Sequence, residues 1–246
     1  ELERAYVQVK DNGQINMALC CDFLSWRLSL YTNVEQHYTF EERYAALLRY
    51  HDASWINLWS ATSAYYHALR WEAEEIPEIF SQHRLSAVNM LAPGKPMMEM
   101  IENQVYLAQG AYARVVGYSA ELLPVCEAMH YALVALHLRI QTAAAYEQLG
   151  KPEEAHAWLR KALSDAEPDG LVMPFVENYD ILKPLLEREI KNDLISKIIE
   201  LGEAATVRNA AGTRPAAFDV LTQREFEIVE LMAQRLSNRE IAELLY

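Results

Sequence analysis

The sequence predicts an all-α fold in which short helices pair into hairpins and the hairpins stack into a superhelix. Three observations carry this expectation. Leu, Ala and Glu dominate a 246-residue chain with only 8 Gly and 9 Pro, a composition that favours helix. The stretch from Leu138 to Pro168 places small and large apolar residues as two closely packed helices require. Weaker copies of that pattern recur upstream at a period near forty residues. With 52% hydrophobic and 23% charged residues, the chain has material for one large or two modest globular domains.

Taken in order, Leu2 to Tyr50 are expected to supply one pair of helices. The next hairpin is SATSAYYHALRWEAEEIPEIF, with Trp71 where a glycine would normally end the first helix. ENQVYLAQGAYARVVGYSAELL follows, with Tyr106 and Gly110 in the corresponding places. The clearest unit is LRIQTAAAYEQLGKPEEAHAWLRKALSDAEP. There Ala143, Tyr146, Gly150, Ala155, Leu159 and Ala162 resemble the small, aromatic, glycine, small, large and small positions of a tetratricopeptide repeat. Small residues let the two helices approach, and large ones fill the gap to the next hairpin. Gly150 ends the first helix and Pro152 starts the second. Residues 1–201 are therefore expected to form a helical-repeat domain. Residues 202–217, small and polar with Gly202, Gly212 and Pro215, read as a linker; an extension of the preceding helix is the alternative.

Residues 218–246 carry two capping boxes in tandem. Thr222 can cap a helix with Glu225 at its third position and Leu221 and Phe226 as the hydrophobic staple; Ser237, Glu240, Leu236 and Ile241 repeat the arrangement. The turn falls near Arg235. The apolar faces, Phe226, Ile228, Val229, Leu231 and Met232 against Ile241, Ala242, Leu244 and Leu245, suit a helix-turn-helix.

Leu221, Thr222, Arg224, Glu225, Glu227, Leu231, Ala233, Ser237, Asn238, Glu240, Ile241, Ala242 and Leu245 resemble the signature of the LuxR-type C-terminal DNA-binding domain, with Arg235 departing from the usual glycine. In that family a turn and a recognition helix follow, so residues 218–246 correspond to the front half of the unit. The resemblance implies that Asn238 and Arg239 contact the DNA backbone once the unit is complete. The segment AEPDGLVMPFVENYDILKPLLEREI resembles the region just upstream of that unit in the large ATP-binding, MalT-like regulators of the LuxR family. The likeness covers Leu138 to Tyr246 well and Glu1 to His137 only as architecture. It implies a helical region that senses an inducer and an ATP site on a separate N-terminal domain. No GxxxxGK[ST] occurs here, and the pair Gly94 and Lys95, followed by Pro96, is expected in a turn. No cofactor is expected on this stretch.

The formal charge of −13 opposes contact with nucleic acid and anionic membranes. From Arg214 to Tyr246, four Arg face one Asp and five Glu, a net of −2, so DNA binding is expected only of the complete parent protein. No apolar run is long enough to cross a bilayer and the first residues do not read as a signal peptide, which leads to the expectation of a cytoplasmic protein without a membrane partner. Cys20, Cys21 and Cys126 lack disulfide or zinc spacing and are expected reduced and buried. The histidines, His37, His51, His67, His83, His130, His137 and His156, show no HExxH spacing, although His130 and His137 could share a helix face. No catalytic constellation stands out, so an enzyme is not expected. Glu72, Glu74, Glu75, Glu153 and Glu154 read as acids at helix starts.

Trp55, Trp59, Tyr65, Tyr66 and Trp71 crowd one helix, as core residues or as the wall of a groove. Trp59, Tyr65, Gln104 and His137 are the candidate groove residues on the concave side, for a small-molecule inducer or a protein partner; homo-oligomerisation is left open. The expected function is the sensing or regulatory region of a LuxR-type transcription regulator. The alternative is an interaction scaffold that takes a peptide or partner domain in its groove. Ligand-raised thermal stability would separate the two.

Overall fold

A computed structural model describes residues 1–10, 13–32, 36, 38–85 and 94–208, together with residues 228, 231, 239, 241 and 242. Among these the fold is all-α, with helices in a hairpin arrangement and no strand. Twelve α-helices run α1 Leu2–Lys10, α2 Ile15–Ser29, α3 Phe40–Leu48, α4 Ala53–Leu69, α5 Glu78–Ser81, α6 Lys95–Ala108, α7 Tyr112–Ala128, α8 Ala132–Gln148, α9 Pro152–Ala166, α10 Met173–Val176, α11 Tyr179–Leu186 and α12 Asp193–Arg208.

Two layers result. Helices α2, α4, α6 and α8 pack each on the next, and α10 and α11 continue the row against α8. Helices α1, α3, α7 and α9 flank that inner row, while α12 covers α10 and α11. The expected small residues Ala143, Ala155 and Ala162, and the large residue Leu159, are all fully buried. Arg139 ties three helices together from α8, reaching Glu127 on α7 at 2.6 Å and Asp165 on α9 at 2.8 Å.

Helix ends follow one rule. Gly110, His130, Gly150 and Gly170 all have positive φ, so a left-handed residue closes the chain every twenty positions. At each of the four the next residue's N–H bonds back across the turn, from Ala111 to Tyr106, Tyr131 to Cys126, Lys151 to Tyr146 and Leu171 to Ala166, at 2.8–3.1 Å. This is the Schellman closure. Trp71, expected in a glycine position, adopts it with φ 61, and Glu72 N–H bonds His67 O at 3.0 Å. His130 closes α7 and is exposed, so it shares no helix with buried His137.

The hairpin expected around Trp71 lacks a full second helix. After α4 come one 3₁₀ turn, Ala73–Glu75, and the four-residue α5. Pro77 holds Ile76 extended, with ψ 125, because a residue before proline is pushed out of the helical region. The first fifty residues give α1, α2 and α3 instead of one pair. Gly94 precedes α6, and Lys95 and Pro96 open it, so the Gly–Lys pair lies at a helix start.

The linker expected from residue 202 begins later. Helix α12 runs through Gly202 to Arg208, and residues 209–217 lie outside the described ones. Gly202 is there for packing: a Cβ at this position would stand 2.2 Å from Cγ of Tyr179. In the stretch expected to form a helix-turn-helix, Ile228, Leu231, Arg239, Ile241 and Ala242 are helical, with Ile241 buried and Arg239 exposed. Both capping boxes, Asn238 and His37 lie outside the described residues.

Candidate functional site

Glu177 and Asn178, between α10 and α11, meet all four inner helices. From α2, Arg27 donates through Nε and Nη2 to Glu177 Oε1 at 2.8 and 2.5 Å. From α4, Tyr65 Oη donates to Glu177 Oε2 at 2.7 Å. From α8, His137 Nδ1 stands 3.7 Å from the same oxygen. From α6, Gln104 Nε2 donates to Asn178 Oδ1 at 2.9 Å.

The polar chain continues behind Asn178. Gln141 Nε2 donates to Gln104 Oε1 at 2.8 Å, and Asn103 Nδ2 to Gln141 Oε1 and Ser119 Oγ at 2.9 Å each. Buried amides are costly unless bonded, so this ladder fixes the register of α6 on α7 and α8.

The carboxylate of Glu177 sets the electrostatics. Its bond to Arg27 is charge-assisted, and the guanidinium also lies 5.3 Å from the ring centroids of Phe23 and Tyr65. Burial and then the Glu177 charge push the hydroxyls of Tyr65 and Tyr31 well above the ordinary tyrosine range. Burial, with the Arg27 charge in the same direction, lowers the His137 imidazole to about 4 against the pull of Glu177. His137 is thus neutral at pH 7, and its approach to Glu177 is not an ion pair there.

Of the four candidate groove residues, the fold brings Tyr65, Gln104 and His137 together; the rings of Tyr65 and His137 are 6.4 Å apart, edge to face. None lines an open groove: they are 0%, 1% and 2% exposed, because the chain's own 177–178 segment packs against all three. Trp59 stands apart, buried with Leu19 and Leu47 and donating its indole N–H to Phe40 O at 3.0 Å. Arg27 and Glu177 escaped the sequence reading. The available signal was a polar pair, Glu177 and Asn178, set between Phe175–Val176 and Tyr179.

Other expectations resolve simply. Cys21 and Cys126 are buried and Cys20 is exposed, a correction; all three are free. Glu153 and Glu154 open α9 as expected, whereas Glu72 binds His67 at 2.8 Å and Arg70 at 2.9 Å. Among the described residues no three His, Cys, Asp or Glu stand together as a metal site, and no helix is long and apolar enough to cross a membrane. Comparison with models of protein families, with curated proteins and with solved structures finds no match.

Proposed function

We propose that this chain is the signal-sensing, regulatory helical-repeat region of a bacterial LuxR-type transcription regulator, acting on a C-terminal helix-turn-helix that starts near Phe218. One observation carries the reading: tandem capping boxes with LuxR-like residues, Thr222 to Leu245, lie on the C-terminal side of a helical-hairpin array in the same chain. The packing around Glu177 supports the reading as far as α12. Glu177 and Asn178 are held by the inner helices, while the next residue, Tyr179, packs on Gly202 of α12, the helix that leads toward the helix-turn-helix. On this reading, a change at the inner row is passed through Tyr179 to α12, a coupling of two sites through one element. The scaffold alternative is the weaker one, because a peptide in the concave side would have to displace the 177–178 segment.

The test is selection of duplexes from a random pool by the gene product that carries this sequence. One preferred sequence should be enriched, and removal of everything from Phe218 onward should abolish the enrichment. Enrichment that survives the removal, or none with the intact product, contradicts the reading.

A further inference from the structure

A second feature lies on the flank of the array, in the cleft bounded by α3, α4 and α5. Its volume is about 490 Å³, within the range of small-molecule sites. The aromatic wall is Phe40, Tyr44 and Trp59. It is pre-organised: Trp26 stacks on Phe40 at 4.0 Å, Phe40 lies 5.3 Å from Trp59, and the Trp59 N–H is already bonded. Trp59, itself only 2% exposed, backs the wall that Phe40 and Tyr44 present to the cleft.

Along α4, Asn57, Ser60 and Ser63 line the cleft at intervals of three residues. Ser60 and Ser63 are each only 8% exposed. Their hydroxyls and the Asn57 amide have no hydrogen-bond partner among the described residues. None of these polar atoms is sealed from solvent, so they are open toward the cleft.

The charge of the lining is of one sign. Glu41 and Glu78 are its only ionisable groups besides Tyr44, and no Lys, Arg or His lines it. Arg84 reaches Glu78 at 3.5 Å, but both side chains are about two-thirds exposed, where such a pair is weak. The nearby imidazole of His67 is engaged by Glu72 at 2.8 Å. Aromatic faces with carboxylates and without a competing cation are the chemistry that recognises a positive organic group.

We propose that this cleft binds an organic ammonium ion carried on an apolar body, with Tyr44 and Phe40 against the body, Glu41 and Glu78 toward the charge, and Ser60 and Ser63 as hydrogen-bond partners. In naming a ligand class for the sensor it rests on the regulatory reading, but binding can be measured on this chain without DNA.

Three probes of one shape separate the chemistry: phenethylammonium, neutral 2-phenylethanol and phenylacetate, titrated calorimetrically at fixed ionic strength. Phenethylammonium should bind saturably and at least about tenfold more tightly than the other two. Tyr44→Ala, at a residue 43% exposed, should weaken it without unfolding the chain. Glu41→Gln with Glu78→Gln should remove the preference for the cation, with thermal melts confirming that each variant is folded. The proposal is overturned if the cation does not saturate, if the three probes bind alike, or if the variants leave its affinity unchanged. Binding as proposed, without effect on the DNA affinity of the gene product, would contradict the regulatory reading alone.

Discussion

Arg27 on α2 and Glu177 after α10 are 150 residues apart in sequence and joined at 2.5 Å. The pair closes the inner row, joining its first helix, α2, to the segment between its last short helices, α10 and α11. Glu177 is almost fully buried and Arg27 retains 19% side-chain exposure. Breaking such a pair strands a charge, whereas replacing both members by apolar groups does not.

Glu177→Gln should therefore destabilise by about 3 kcal/mol in urea unfolding, near the low end for a buried pair because Arg27 keeps some contact with water. Arg27→Met with Glu177→Leu should recover most of that loss. Recovery stays incomplete because Tyr65 then lacks its acceptor. Equal losses in the single and double variants would show that the charge pair is not what holds the segment.

His137 makes stability depend on pH. Burial lowers its folded pKa from 6.5 to about 4, so between those values the unfolded chain takes up a proton that the folded chain refuses. The contribution is fully present above 6.5 and is lost as pH falls towards 4. Between pH 7 and 4, the parent should lose on the order of 2–3 kcal/mol more than His137→Gln. Parallel pH profiles would contradict this.

Gly202→Ala should destabilise by at least about 1–3 kcal/mol, since its Cβ would overlap the Tyr179 ring. Shortening the ring in Gly202→Ala with Tyr179→Leu should relieve part of the loss. An unchanged melting temperature for Gly202→Ala would place α12 elsewhere.

His130 is exposed and left-handed, with φ 57, a conformation that strains any residue with a Cβ. His130→Gly should raise stability by roughly 0.5–1 kcal/mol, the relief being offset in part by the freer unfolded chain. A fall in melting temperature would argue against the left-handed closure.

The hairpins were legible because their determinants are local: Gly110 and Gly150 close helices, Pro152 opens one, and Ala143, Ala155 and Ala162 mark close approach. Trp71 was placed correctly by period alone. The short α5 was not, because Pro77 interrupts a segment whose composition otherwise suits a helix. Tyr65, Gln104 and His137 were rightly grouped on one side, since repeat positions superpose in a stacked array. That this side is closed depends on Glu177, a contact made across 150 residues that no periodicity encodes. Gly202 was read as a linker glycine because a sequence does not distinguish a residue that must bend from one that must be small.

The most direct measurement is the affinity of the intact gene product for its selected duplex, wild type against Glu177→Gln, followed by fluorescence anisotropy at one fixed salt concentration. The regulatory reading predicts a change of about 5–150-fold, the usual range of coupling between two sites, in a variant whose helix-turn-helix sequence is untouched and whose helicity is retained. Identical affinities in the two folded proteins would contradict it, because the carboxylate that binds the inner helices would then have no hold on the DNA-binding unit that the reading proposes.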